Sequence, residues 1–287
     1  MSAAETMRSE PAPEIRAVQE KASGSSFYSA MRLMPKPERE AMFAIYAFCR
    51  AVDDIADDGI GTRPERHEAL NAWRADLDAL YAGGTPKRTA FLADAVTRYG
   101  LRKEDFLAVI DGMDMDVAED IVAPNLKTLD LYCDRVASAV GRLSVKVFGM
   151  EDGPGSDLAH HLGRALQLTN ILRDLDEDAG IGRLYLSREA LDAAGIATRD
   201  PGTVLADPRI DRACRKLAAR AHEHYREAER IMRARPKGRI KTPRLMGAVY
   251  AEILREMEKA GWAAPRHRVS LGKAKLIRIV LANGLLG

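Results

Sequence analysis

The first group of side chains that could do chemistry lies between residues 46 and 57, on a segment with helical spacing. On an α-helix, Tyr46, Arg50, Asp53 and Asp57 fall within about 60° of one another and form one stripe. The residues between them are mostly apolar, so we expect this helix to be largely buried. Two buried carboxylates need a cationic partner, and Arg50 could serve one of them. The alternative is that both aspartates lie exposed near a helix end.

A second polar stripe lies between residues 167 and 178. Gln167, Asn170, Asp174 and Asp178 fall within about 80° of one another on a helix. Arg173 precedes the first of these aspartates, and leucine and isoleucine residues fill the flanks. Two separate helices are therefore expected to present a D-x-x-x-D pair and an arginine from apolar surroundings.

The ligand chemistry of both stripes favours magnesium and phosphate. Carboxylate and amide oxygens without histidine or cysteine are hard ligands, which suit Mg²⁺ and suit zinc or copper poorly. Mg²⁺ keeps several waters and commonly binds substrate phosphates together with one or two carboxylates. Arginines add bidentate donors for phosphate. Because these acids are predicted on helices and not in a glycine-containing loop, an EF-hand does not fit. A site that holds a hydrophobic diphosphate between two helices fits these residues.

The composition excludes several other classes of protein. The 287 residues carry 44 basic and 42 acidic side chains, a net charge of +2 and a hydrophobic fraction of 46%. Disorder, collagen and small disulfide scaffolds do not fit these values, and a nearly neutral chain has no field of one sign to attract nucleic acid. Cys49, Cys133 and Cys214 lie far apart, which indicates buried free thiols in a reducing compartment.

Two features of the sequence concern localisation. Residues 1–24 contain no apolar segment typical of an export signal, and the longest apolar run, 41–49, is less than half of a membrane span. The expected location is therefore the cytoplasm. The C-terminal stretch 271–281 is basic and amphipathic, so it either rests on anionic lipid at the inner face of the membrane or forms the last helix of a bundle.

Apolar residues recur with helical period through almost the whole chain, and no alternating strand pattern occurs, which predicts an all-α protein. We expect a disordered tail over residues 1–24 and one helical domain over residues 25–287. Asp207 followed by Pro208 is typical of a helix start, whereas residues 153–155 are expected to form a turn in a loop. Helices are expected at about 38–58, 64–81, 103–119, 126–148, 156–178, 207–233, 242–261 and 273–283.

These segments resemble the signature of the squalene/phytoene synthase family, whose members share the trans-isoprenoid synthase fold. The resemblance runs from residue 25 to about residue 268, and its motifs are 46–57, 132–141, 167–178 and 182–186. Within the family, the amino-acid sequence of residues 25–35 and 41–50 is most similar to that of the bacterial branch that serves hopanoid biosynthesis. The resemblance implies a single-domain helical bundle around a central active-site cavity.

The resemblance also implies a reaction, the head-to-head joining of two farnesyl diphosphates to presqualene diphosphate. One substrate would lose its diphosphate to give an allylic cation, the C2–C3 double bond of the second would attack it, and loss of a proton would close a cyclopropane ring. Two or three Mg²⁺ ions would act with the substrate diphosphate, and NADPH is not expected. Squalene, hydroxysqualene and phytoene are the alternative products. A non-catalytic assembly factor of the same fold is the alternative from another functional class.

Carried over by position, the resemblance implies a role for each residue of the two stripes and for several others. The Mg²⁺ ligands would be Asp53, Asp57, Asn170, Asp174 and Asp178. The contacts to the prenyl diphosphates would be Ser26, Phe27, Tyr46, Arg50, Gln167, Arg173, Arg183, Tyr185 and Tyr250. Arg183 and Tyr185 would belong to a loop that covers the active site. The catalytic set would be Asp53, Asp57, Asp174, Asp178, Arg50, Arg173 and Tyr46.

Two further clusters are expected to have no part in a site. Asp111, Asp114 and Asp116 form a third acidic cluster, which we expect on a helix surface. The histidine pairs 160–161 and 222 with 224 lack a complete set of zinc ligands at zinc spacing, so no metal is expected there.

Overall fold

The computed structural model describes residues 31, 34–57 and 60–284. Within them the chain is mostly helical, and the rest consists of turns, loops such as residues 261–272, and a bridge between Val122 and Leu184, so the predicted all-α class is confirmed. The expected tail 1–24 lies outside the described residues, and the division into tail and domain stays a prediction. The helices are α1 Lys36–Asp57, α2 Arg63–Tyr81, α3 Ala93–Tyr99, α4 Lys103–Ala118, α5 Leu126–Cys133, α6 Ala139–Val147, α7 Asp152–Arg173, α8 Leu175–Gly180, α9 Arg188–Ala194, α10 Pro201–Ala206, α11 Ile210–Arg233, α12 Lys241–Ala260 and α13 Lys273–Gly284.

Two expected helix boundaries are wrong. Helix α11 begins at Ile210, because the Asp207 carboxylate accepts hydrogen bonds from the backbone and guanidinium of Arg209 and so forms a turn before the helix. Residues 153–155 lie inside the first turn of α7 and not in a loop. A proline within the first helical turn costs no backbone hydrogen bond, since the first N–H groups of a helix have no partner in it.

Two of the expected long helices are interrupted. The segment 126–148 contains a π-helical turn at Asp134–Ser138 between α5 and α6. The segment 156–178 is broken at Asp174, whose backbone leaves the helical region while its carbonyl still accepts the hydrogen bond from the Asp178 N–H at 2.9 Å. Aspartate competes for backbone hydrogen bonds and so tolerates such a junction. The second polar stripe is therefore shared between α7 and α8.

Helix α7 lies at the centre of the bundle and packs against α6, α11, α12 and the π-helical turn. Helix α1 packs against α2, α4 and α6 on the other side. The π-helical turn approaches α7 closely at Gly163, where an added Cβ would lie 2.7 Å from the Ser138 Cα. Small residues at this crossing allow two backbones to meet beside the space enclosed by α1, α6, α7 and α12.

Helix α13 packs along α12 and has two different faces. Leu276 and Ile279 pack against the core, and the Lys275 ammonium lies 2.8 Å from the Glu256 carboxylate and also pairs with Glu252. Ile277 and Leu281 are 59% and 58% exposed. The helix is thus part of the bundle and keeps an apolar outer face. Within the described residues, none of the helices has the length and apolar character that a membrane span requires.

Candidate active site

A cavity of about 440 Å³ opens between α1, α4, α6, α7 and α12. This volume is within the usual range for small-molecule sites. Most of its wall is apolar and includes Met42, Ile45, Val109, Met113, Val136, Val140, Phe148, Leu158, Leu162, Leu166 and Met246. The polar lining consists of Tyr46, Arg50, Asp53, Gln167, Asn170, Arg173 and Tyr250, together with Tyr132, Ser144 and the thiol of Cys49. Burial raises the pKa of that thiol to about 12, so it is protonated and inert.

On α1, Arg50 is the cation of the first stripe. Its guanidinium donates to the Asp53 carboxylate at 2.6 Å and also pairs with Asp54. Burial, followed by the nearby Asp57 carboxylate, raises the pKa of Asp53 to about 7 against the opposing effect of Arg50. The prediction that Arg50 would serve one of the two aspartates of the stripe is confirmed. One arginine shared between two carboxylates leaves this end of α1 short of positive charge.

The partner of Asp57 is Arg183, 126 residues further along the chain. The Arg183 guanidinium donates to Asp57 Oδ1 at 2.6 Å and to the Ala56 carbonyl at 3.0 Å. Its backbone N–H donates to the Asp178 carbonyl at 2.9 Å. Arg183 therefore joins the C-terminal end of α1 to the end of α8, and the two polar stripes meet at this point.

Behind Arg183 lies a buried carboxylate, Asp116, which is 3% exposed. Tyr185 donates to its Oδ1 at 2.7 Å and Tyr132 to its Oδ2 at 3.0 Å, while the two tyrosine rings stack with centroids 4.9 Å apart. The Arg183 Nε lies 3.9 Å from the same carboxylate. Burial raises the pKa of Asp116, whereas Arg183 and the two phenols lower it. These contacts hold the Arg183 side chain in place.

On α7 and α8 the second stripe has its own cations. Arg173 donates to both oxygens of Asp174, at 2.8 and 2.6 Å, and Arg268 donates to Asp174 at 2.9 Å. Burial, together with the Asp174 and Asp57 carboxylates, raises the pKa of Asp178 to about 7 against the opposing effect of Arg183. The effect of Asp57 on Asp178 places the two acidic pairs in one electrostatic field. The Asn170 Oδ1 is buried and accepts no hydrogen bond within the described residues.

The expected site residues fall into three groups in the structure. The cavity is lined by Tyr46, Arg50, Asp53, Gln167, Asn170, Arg173 and Tyr250. Asp57 on α1, Asp174 at the junction of α7 and α8, and Asp178 on α8 lie beyond this lining. Arg183 and Tyr185 are buried beneath the rim, where they contact carboxylates and contribute nothing to the lining. Ser26 and Phe27 lie outside the described residues.

Sequence reasoning missed two participants. Asp111 and Asp114 pair with Arg74 as expected for a surface cluster, but the surface prediction is wrong for Asp116. Asp116 follows Val109 and Met113 at helical spacing, and both of these line the cavity, so its position on their face was the available signal. Arg268 had no signal of this kind, since only the fold brings it to Asp174.

The chain belongs to the squalene/phytoene synthase family, whose model matches residues 21–275. The presqualene diphosphate synthase of Zymomonas mobilis is 58% identical over 260 residues, which are 91% of this chain and 89% of that protein. The presqualene diphosphate synthase of Rhodopseudomonas palustris is 54% identical over 274 residues, which are 96% of this chain and 98% of that protein. The phytoene synthase of Mycobacterium tuberculosis is 33% identical over 260 residues, 90% of this chain and 85% of that protein. The expected family is confirmed.

Solved structures agree with the family. A squalene synthase from Alicyclobacillus acidocaldarius has a TM-score of 0.74 at 26% identity, covering 87% of this chain and 96% of that one. A dehydrosqualene synthase in complex with ligand has a TM-score of 0.75 at 24% identity, covering 95% of this chain and 96% of that one. The second likeness concerns the fold alone. Both are consistent with a helical bundle around a central cavity.

Proposed function

We propose that this chain is a Mg²⁺-dependent prenyltransferase that joins two farnesyl diphosphates head to head, giving presqualene diphosphate and one free diphosphate. The main support for the proposal is that the cavity has an apolar part and a polar part. Its walls are apolar along α1 and α7, and the charged residues Arg50, Asp53 and Arg173 and the amide of Asn170 lie near the C-terminal ends of those helices. A hydrophobic diphosphate has the same division. The two relatives that are 58% and 54% identical to this chain are named presqualene diphosphate synthases.

The residues at this end of the cavity fit a divalent cation. The Asn170 carbonyl oxygen is buried without a hydrogen-bond donor, which is costly unless another positive group meets it. Asp57 lies in the last turn of α1, where the helix dipole disfavours negative charge and where α1 itself supplies no basic residue, so its cationic partner is Arg183 from another part of the chain. We propose Asp53, Asp57, Asn170, Asp174 and Asp178 as the ligands. Bound Mg²⁺ would supply positive charge toward a departing diphosphate.

The side chains of the cavity have separate tasks in this reaction. Arg50 and Arg173 can each donate to diphosphate oxygens while keeping an acidic neighbour, which stabilises the negative charge of the leaving group. Tyr46 and Tyr250 line the cavity beside these arginines, so their ring faces can stabilise an allylic cation. The apolar wall keeps water from that cation. Arg183, by holding Asp57, fixes the distance between the two acidic pairs.

Product analysis tests this proposal. The purified chain is incubated with Mg²⁺ and either farnesyl or geranylgeranyl diphosphate, with and without NADPH, and the products are identified by mass spectrometry. We expect presqualene diphosphate from farnesyl diphosphate without NADPH. A C40 hydrocarbon from geranylgeranyl diphosphate would favour phytoene synthesis, the activity named for relatives that are 33% identical. Absence of diphosphate release from either substrate would contradict catalysis.

We also propose that α13 rests on an anionic membrane surface. The exposed face of this helix carries Ile277 and Leu281, and the basic residues Lys273 and Arg278 are exposed beside them. An apolar stripe flanked by basic side chains is the pattern of a helix that lies in the membrane interface. Such contact would bring the cavity close to prenyl substrates and products, which partition into lipid.

Sedimentation with vesicles tests the membrane proposal. We expect the chain to sediment with vesicles that contain phosphatidylglycerol and to stay in solution with pure phosphatidylcholine. The double variant Ile277→Glu, Leu281→Glu should lose sedimentation. Leu131→Glu is the matched control, since Leu131 is 46% exposed on a different helix. Equal sedimentation of both variants, or none of the unmodified chain, would contradict the proposal.

A further inference from the structure

Three histidines meet on the outer side of α7, away from the acidic residues. His160 and His161 follow one another on α7, and His224 lies on α11. One ring nitrogen of each lies within 4.8 Å of the others, and the Nδ1 atoms of His161 and His224 are 3.0 Å apart. Sequence spacing treated the two histidine pairs separately, whereas the packing of α11 on α7 brings His224 beside His160 and His161 as a third imidazole.

The arrangement fits a tetrahedral transition metal. Zinc binds imidazole nitrogen at about 2.0–2.1 Å, so two such ligands in a tetrahedral site lie about 3.3 Å apart. The observed separations span that value, and the exposed His160 ring is able to move closer. A set of imidazoles alone suits Zn²⁺ and does not suit Mg²⁺, which prefers oxygen. The cluster is therefore chemically distinct from the acidic residues of the cavity.

The charges around the cluster permit a cation. Arg164 and Arg220 lie on the same two helices; Arg164 pairs with Asp130 and Asp134, each at 3.0 Å, and Arg220 pairs with Asp130 at 3.3 Å, so both arginines have carboxylate partners. The Nδ1 atoms of His161 and His224 face each other at 3.0 Å, and in a hydrogen bond between two neutral imidazoles one of these nitrogens is the acceptor. A neutral imidazole has a lone pair available for a metal.

We propose that His160, His161 and His224 bind Zn²⁺ and thereby tie α7 to α11. Water would complete the coordination. Leu158 and Leu162 of α7 line the cavity, whereas His160 and His161 do not, so the ion would lie on another face of this helix and outside the cavity. Its effect would be structural, because it would link the helix that carries Gln167 and Asn170 to its largest helical neighbour.

Zinc titration of the untagged, metal-stripped full chain tests this site. Binding is measured by competition with a chromophoric chelator in excess Mg²⁺, which occupies the acidic ligands. We expect one Zn²⁺ per chain and a rise in the midpoint of thermal unfolding of about 4 °C at zinc concentrations near 100 times the dissociation constant. Loss of a residue that only supports a metal ligand through a hydrogen bond weakens metal binding by up to about 100-fold. Because His161 and His224 would be ligands themselves, His161→Ala and His224→Ala should each weaken zinc binding by more than that.

The control is His222→Ala, on the same helix as His224 but paired with Glu258 at 2.9 Å. It should bind zinc as the unmodified chain does. If His224→Ala does not fold, His160→Ala still tests the site, since His160 is exposed and its removal should weaken binding at least tenfold. Failure of the unmodified chain to bind zinc, equal binding by His160→Ala, or binding without a rise in the unfolding midpoint would overturn the proposal. If the unmodified chain binds no zinc, His161 and His224 form only a hydrogen-bonded pair.

Discussion

The Arg183 guanidinium lies 2.6 Å from the Asp57 carboxylate, and this ion pair joins two motifs that are 126 residues apart. Because the Arg183 N–H also donates to the Asp178 carbonyl, one residue connects the acidic end of α1 with the acidic end of α8. Its side chain is 7% exposed, whereas that of Asp57 is 46% exposed. The arginine is thus the fixed partner, and the carboxylate extends from it toward solvent.

The first prediction concerns this ion pair. Arg183→Gln removes the charge that holds Asp57, so the two acidic pairs lose their fixed separation. Because Asp57 is half exposed, we expect the free energy of unfolding to fall by about 1–3 kcal/mol, less than for a fully buried pair. We expect kcat to fall by about 10- to 100-fold, since small displacements of positioning groups have effects of that size. Arg188→Gln, at an exposed position nearby, should change neither quantity. Equal kcat for both variants would contradict the role of Arg183.

The second prediction concerns the buried carboxylate behind Arg183. Asp116→Asn retains an acceptor but removes the charge that two phenols and Arg183 share. We expect a loss of about 1–3 kcal/mol in the free energy of unfolding, measured in urea. Asp111→Asn on the same helix should cost at most about 1 kcal/mol, because Asp111 is 40% exposed and pairs with Arg74 at the surface. A smaller loss for Asp116→Asn than for Asp111→Asn would show that the network contributes little.

Much of this arrangement could be predicted from sequence, because helical periodicity alone places Asp53 and Asp57 on one stripe with Arg50. The same periodicity does not show which cation meets Asp57, since Arg183 reaches it only through the fold. The π-helical turn at Asp134–Ser138 also escaped prediction, because its sequence keeps the apolar spacing of an α-helix. Asp116 was misjudged because its acidic neighbours Asp111 and Asp114 do lie toward the surface. Local pattern thus predicts helix faces, and long-range packing decides which faces meet.

The third prediction concerns the crossing of α7 and the π-helical turn. In Gly163→Ala the new Cβ would lie 2.7–2.8 Å from Ser138 backbone and side-chain atoms, so one backbone has to shift. We expect a loss of about 1–3 kcal/mol in the free energy of unfolding. Gly153→Ala is the matched control in the same helix, since its Cβ would meet nothing within 4 Å. That change should be neutral or stabilising by up to about 1 kcal/mol. A Gly163→Ala variant as stable as Gly153→Ala would show that the crossing is loose.

The fourth prediction concerns the attachment of α13. Hydrogen bonds from Lys259 and Lys275 lower the pKa of Glu256 from 4.5 to about 2. Because the pKa is lower in the folded chain, this stabilisation is complete above pH 4.5 and is lost as the pH falls toward about 2. Hydrogen-exchange protection of the α13 amides should fall in that range.

At neutral pH, Lys275→Gln should lower the protection of α13 and leave that of α7 unchanged. Lys273→Gln, which changes an exposed lysine of the same helix, is the control. If the α13 amides are equally protected from hydrogen exchange in both variants, the contacts of Lys275 with Glu252 and Glu256 do not hold the helix.

The central claim is that carboxylates from two helices act together on the diphosphate of a prenyl substrate. The most direct measurement is the rate of diphosphate release from farnesyl diphosphate, in saturating Mg²⁺, for Asp53→Asn, Asp178→Asn and Asp176→Asn. Asp176 is next to the second stripe, but it is 57% exposed and pairs with Arg266. We expect the first two variants to lose at least about 100-fold in rate with their helical content intact, and Asp176→Asn to retain the rate of the unmodified chain. Full activity of Asp53→Asn and Asp178→Asn would contradict the claim.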